Sequence, residues 1–87
     1  MKVLSKPIQM LAWFNEQGYP NPIRFRFESG SESFTVIKVD KILKKDIEKI
    51  GGNDTVVFKC QSLINGLEKV FEIKYELRTM KWVLFKI

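Results

Sequence analysis

Histidine is absent from the chain, and cysteine occurs once, as Cys60. Without imidazole, neither a Ser-His-Asp nor a Cys-His catalytic arrangement can be assembled, nor a histidine-bearing metal site. A single cysteine cannot form an internal disulfide, which fits a cytoplasmic setting. No glycine-rich loop leads into a helix pattern, so Gly51-Gly52 is a turn signal and not a phosphate cradle. No run approaches ~18 apolar residues, so no membrane span and no membrane partner are expected. Met1 to Pro7 carries basic residues but lacks the uniform apolar core and small-residue cleavage site of a secretory signal. With no cofactor motif either, the sequence reads as that of a non-enzymatic protein.

What is present is ordinary globular material. Apolar residues make up 45% and charged ones 29% of 87 residues, far from the profile of a disordered chain. A chain of this length forms one small domain over 1–87 and buries roughly 60–65% of the surface its unfolded form exposes. That suffices for a core but hardly for a deep pocket. Fifteen Lys and Arg against ten Asp and Glu leave a net charge of +5, which favours polyanions and also keeps a small domain soluble.

The strongest local signal is Asn65-Gly66 between two alternating apolar runs, because both residues tolerate the positive φ of a two-residue type I′ turn. The register follows: Ile64 opposite Leu67, Cys60 opposite Phe71, Phe58 opposite Ile73 and Val56 opposite Tyr75 on one face. Lys59 meets Glu72 and Thr55 meets Glu76 on the other. A slip of one residue would turn the apolar set to solvent.

Elsewhere the reading is less uniform. Ile8 to Phe14 mixes helix formers with Trp13 and Phe14; as a helix it would be apolar nearly all round, which favours a strand. Ile23 to Glu28 alternates cleanly, with Ile23, Phe25 and Phe27 on one side and Arg24, Arg26 and Glu28 on the other. A four-residue loop, Ser29-Gly30-Ser31-Glu32, would set Phe27 against Phe34 and Phe25 against Val36. The apolar parity then moves to Ile37 and Val39, as a bulge or a doubly covered strand would require. This third strand is expected to run to about Leu43. The spacing of Leu43, Ile47 and Ile50, with Gly51-Gly52 as a stop, then allows a short helical turn near 44–50, or else an irregular basic loop. Lys81 to Lys86 closes the chain as a strand apolar on both faces, with Trp82 and Leu84 on one and Val83 and Phe85 on the other. The expected fold is all-β: about six short antiparallel strands in a meander, forming a small barrel or strongly bent sheet that hides its edges.

Cys60, opposite Phe71, is expected to be a buried hydrophobe and not a thiolate. Glu72 and Glu76 stand two pleats apart, roughly 13 Å for carboxylates that would have to cooperate, and each faces its own counter-group. The residues that could bind are the cations. Arg24 and Arg26 share the outward face of the second strand, and Lys38, Lys41, Lys44, Lys45 and Lys49 follow, although Asp40, Asp46 and Glu48 interrupt the run. Small barrels bind single strands with a basic track and exposed aromatics; here Tyr19 and either Trp13 or Trp82 are the candidates. The expected partner is nucleic acid or a nucleic-acid-processing protein. The alternative is a protein-interaction or homodimerising module that uses the second apolar face of strands three and six.

Arg24-Phe25, Phe34-Thr35-Val36 with Ile37 and Ile42, Phe58-Lys59-Cys60, Asn65-Gly66, Glu72-Ile73-Lys74-Tyr75-Glu76 and Lys81-Trp82-Val83-Leu84 together form a pattern. It resembles short uncharacterised bacterial all-β proteins with an Arg-Phe strand, a Val-x-x-Ile segment and a closing Trp-x-Leu. The resemblance covers Pro22 to Ile87. Some of those proteins are encoded near lesion-bypass DNA polymerases, which implies an accessory role in DNA metabolism. They supply no assigned binding residue to carry over, and the lysine-rich Lys41 to Lys49 segment departs from their pattern.

Overall fold

The computed structural model describes residues 1–30 and 32–87, the side chain of Ile50 excepted. These residues form seven antiparallel strands and no helix: β1 (Val3–Phe14), β2 (Pro20–Glu28), β3 (Phe34–Lys38), β4 (Lys41–Ile50), β5 (Asn53–Ile64), β6 (Leu67–Glu76) and β7 (Lys81–Lys86). They make one sheet in the order β3-β2-β1-β7-β6-β5-β4.

The β5–β6 hairpin takes the register that its turn dictates. Asn65 and Gly66 hold φ of 50° and 80°, and Cys60 faces Phe71, Phe58 faces Ile73 and Val56 faces Tyr75. Apart from Tyr75, these residues are fully buried. Around them the core is completed by Phe25, Ile37 and Leu84. Phe25 meets Phe71 edge-on at 5.7 Å, so β2 packs across the interior against β6 although the two lie three strands apart in the order. Side chains of this kind contribute about 1.5–3 kcal/mol each on burial.

Ile8 to Phe14 is strand, as the later part of the twelve-residue β1. Its apolar residues divide between faces: Ile8 and Met10 are half-buried against the core, whereas Leu11 and Trp13 are exposed. The turn that follows is organised by Asn15, whose Oδ1 accepts the N–H of Gln17 at 3.0 Å and of Tyr19 at 2.9 Å.

Two local expectations are corrected. The connection between β2 and β3 has five residues, 29–33, instead of four, and Ser31 within it lies outside the described residues. The extra residue shifts the pairing by one: Phe25 faces Ile37 and Phe27 faces Thr35, while Arg26 faces Val36 and Glu28 faces Phe34. Phe34 and Val36 therefore point away from the core. The second correction concerns 44–50, which is neither helical nor a loop. It pairs with β5 along its whole length, Lys45 opposite Phe58 and Ile47 opposite Val56, with a bulge at Leu43. Gly51 and Gly52, at φ of 57° and 82°, form a two-residue reversal joining Ile50 to Asn53. This Gly-Gly hairpin signal outweighs three apolar residues at helical spacing.

The meander also curls back on itself. The third strand breaks at Val39-Asp40 and the chain resumes as β4, so one bent ribbon meets β2 at one end and β5 at the other. Ser62, 1% exposed, fastens the bend: its hydroxyl donates to the carbonyl of Lys38 at 2.6 Å and accepts the N–H of Asp40 at 3.1 Å. The Asp40 carboxylate accepts the N–H of Leu63 at 2.8 Å.

Candidate nucleic-acid interface

The seven cations singled out by the sequence fall into two groups. Arg24, Arg26 and Lys38 share the outer face of β2 and β3, where Arg24 stands directly opposite Lys38. Lys41, Lys44, Lys45 and Lys49 lie on β4, at the other end of the strand order. Lys41 and Lys44 are on its outer side, opposite Gln61 and Lys59; Lys45 and Lys49 are on its inner side, opposite Phe58 and Asp54. All seven are exposed.

The environments of the two groups differ electrostatically. Like charges placed directly opposite each other across a strand pair are destabilising. Lys44 and Lys59 are so placed, but Asp46 lies 3.4 Å from Lys44 and Glu72 faces Lys59. Arg24 and Lys38 have no such relief: the only ion pair among the described residues is that of Lys44. Each row on this face can be read across three strands. Leu11, Arg24 and Lys38 form one, and Gln9, Arg26 and Val36 the next. On these rows the acid is Glu28, opposite Phe34 at the loop end, while Asp40, two residues past Lys38, turns its carboxylate to the N–H of Leu63.

Arg26 is held in place. Its Nε donates to Gln9 Oε1 at 2.6 Å, and its guanidinium carbon lies 4.4 Å from the centre of the Phe34 ring. An open groove of about 400 Å³ crosses the same face, lined by Gln9, Leu11, Arg24, Arg26 and Val36. Trp13, on this face of β1, is 54% exposed and Phe34 44%. Of the aromatics weighed from the sequence, only Trp13 is free. Trp82 stacks on Phe58 at 6.0 Å and lies tilted against Tyr75 at 4.6 Å, and Tyr19 is half-buried against the core.

Gln9, Leu11, Phe34 and Val36 were not identifiable as part of this surface from composition. Phe34 and Val36 depend on the loop length, while Gln9 and Leu11 lie in a segment apolar on both faces from Met10 to Phe14, whose sequence carries no alternation to orient it. On the second apolar face of β7, Val83 and Phe85 are half-buried, and Lys74 Nζ lies 3.4 Å from the centre of the Phe85 ring. Cys60 is fully buried, and desolvation pushes its thiol up to about 12. Among the described residues no group of three or more acidic or thiol side chains is placed to hold a metal ion, and no helix is long and apolar enough to cross a membrane. No family model matches the chain, and no curated protein and no solved structure matches it.

Proposed function

We propose that this protein is a non-enzymatic, cytoplasmic binding module that engages single-stranded nucleic acid through the outer face of β1, β2 and β3, as an accessory factor in nucleic-acid metabolism. The observation that carries the reading is Arg24 facing Lys38 with no ion pair to either among the described residues. Such an arrangement costs stability in the free protein and is relieved when phosphates approach. Exposed Trp13 and Phe34 flank the cations and offer ring faces on which bases can stack. Lys41 stands on the far edge outside these rows, and Lys44 there is paired with Asp46.

The test is a fluorescence anisotropy titration of a labelled single-stranded oligonucleotide. Three phosphate contacts predict that log affinity falls with log salt at a slope of roughly −2. Replacing Arg24, Arg26 and Lys38 together with alanine should weaken binding at least about tenfold and flatten that slope. No binding at low salt would dispose of the reading, and so would an unchanged affinity in the triple variant.

A further inference from the structure

Past the row of Gln9 and Arg26, β1 and β2 part. Their ladder runs from Phe14 opposite Pro20 to Gln9 opposite Arg26 and stops there. Pro7, two residues further back along β1, has no N–H with which to continue it. An open cleft of about 360 Å³ lies at the parting, lined by Lys6, Pro7, Gln9, Phe27, Glu28 and Phe34. It adjoins the groove over Arg24 and Arg26, since Gln9 lines both.

The cleft differs chemically from the rest of this face. It holds Glu28, an acid at the end of a cationic track, where a cation would serve a phosphate better. Lys6 lines the same cleft, with its Nζ 5.4 Å from the centre of the Phe27 ring. The two charges do not neutralise each other, because the only ion pair among the described residues is that of Lys44. The backbone of Glu28 turns the same way. Ile23 accepts the N–H of Val39 at 2.8 Å and Ser29 donates to Ser33 at 3.0 Å, so the odd-numbered residues of β2 and β3 bond to each other. By the alternation of an antiparallel ladder, Glu28 directs its N–H and carbonyl toward β1, beyond the point where β1 pairs. A carboxylate, a backbone donor and acceptor, an ammonium and the Phe34 ring thus border one open space.

We propose that this cleft holds one base of the bound single strand, and that the base is guanine; the proposal rests on the nucleic-acid reading above and states what that site selects. Guanine alone among the four bases carries two adjacent donors on its base-pairing edge, N1–H and the N2 amino group, with the acceptor O6 beside them. An ionised carboxylate only accepts, and it has two oxygens, so Glu28 takes both donors at once while Lys6 donates to O6. Adenine, cytosine and thymine each offer one donor group on that edge and set an acceptor against the second oxygen. Unpaired bases are read in this manner, splayed from the strand, stacked against an aromatic ring and bonded along an edge. Glu28 therefore weakens phosphate contact at one point and gains selection there.

Anisotropy titrations at low salt test this with short thymine strands that carry one central guanine, adenine or cytosine, or none. The guanine strand should bind at least about fivefold more tightly than the other three. Glu28→Gln puts an amide donor where an acceptor stood, and the residue is exposed, so the change stays at the surface. It should reduce the preference to less than about twofold and should tighten the all-thymine strand, because a negative charge leaves the path of the phosphates. Guanosine monophosphate, with the same base and one phosphate, should displace the guanine strand only in large excess. Displacement at equal concentration would make the ligand a free nucleotide and overturn the proposal. Equal binding of all four strands by the parent also overturns it and leaves the nucleic-acid reading standing, as does a Glu28→Gln variant that keeps the guanine preference. Failure of every strand to bind overturns both.

Discussion

The guanidinium of Arg26 lies over the ring of Phe34, 4.4 Å from its centre, on the side of the sheet turned away from the core. Phe34 is thus a surface aromatic. Phe34→Ala should cost no more than about 1 kcal/mol, the size of an exposed cation–π contact. Phe71→Ala, at a fully buried site, should cost about 3–5 kcal/mol. Urea denaturation of both variants distinguishes the two sites.

Removing charge from the Arg24–Lys38 pair should move stability and binding in opposite directions. Arg24→Gln is expected to raise stability by about 0.2–1 kcal/mol, since it ends a like-charge opposition, and to weaken oligonucleotide binding. Lys49→Gln, on the inner side of β4 opposite Asp54, should leave binding close to that of the parent. Thermal melts and anisotropy on the same samples give both readouts.

Ser62 satisfies two backbone groups of the bent ribbon at once. Ser62→Ala leaves the N–H of Asp40 and the carbonyl of Lys38 without this partner in a partly buried place, at a cost of about 1–3 kcal/mol. The loss should appear as a lower midpoint in urea with an unchanged slope.

Cys60 makes stability fall at alkaline pH. Burial pushes its thiol from 9.0 up to about 12, so between these values the unfolded chain has released a proton that the folded chain still holds. Its contribution is fully present below about pH 9 and is lost as pH rises toward about 12, with a slope of at most about 1.4 kcal/mol per pH unit. Cys60→Ala should flatten that decline relative to the parent. In the parent, thiol reagents should modify Cys60 only as the protein unfolds.

The all-β architecture was legible because its strongest signals are local. Asn65-Gly66 and the alternation on either side determine the central hairpin, and the alternation of Ile23 to Glu28 determines which residues of β2 face inward. What escaped depended on loop length and on tertiary competition. One additional residue between Glu28 and Phe34 reverses the facing of Phe34 and Val36, and no composition rule separates a four-residue loop from a five-residue one. In β4, Leu43, Ile47 and Ile50 mimic a helical stripe, yet the ladder to β5 and the Gly51-Gly52 reversal prevail. The cationic surface was legible in part: Arg24 and Arg26 share a face by period two. That Lys38 joins them while Lys45 and Lys49 do not follows from the bend at Val39-Asp40, a long-range feature fastened by Ser62.

The alternating direction of backbone groups along β3 leaves a signature in how fast its amides exchange. In deuterated solvent the protons of Thr35, Ile37 and Val39, turned toward β2, should be lost slowly, while those of Phe34 and Val36 go quickly, a fast-slow rhythm that ends where β5 closes over Lys38.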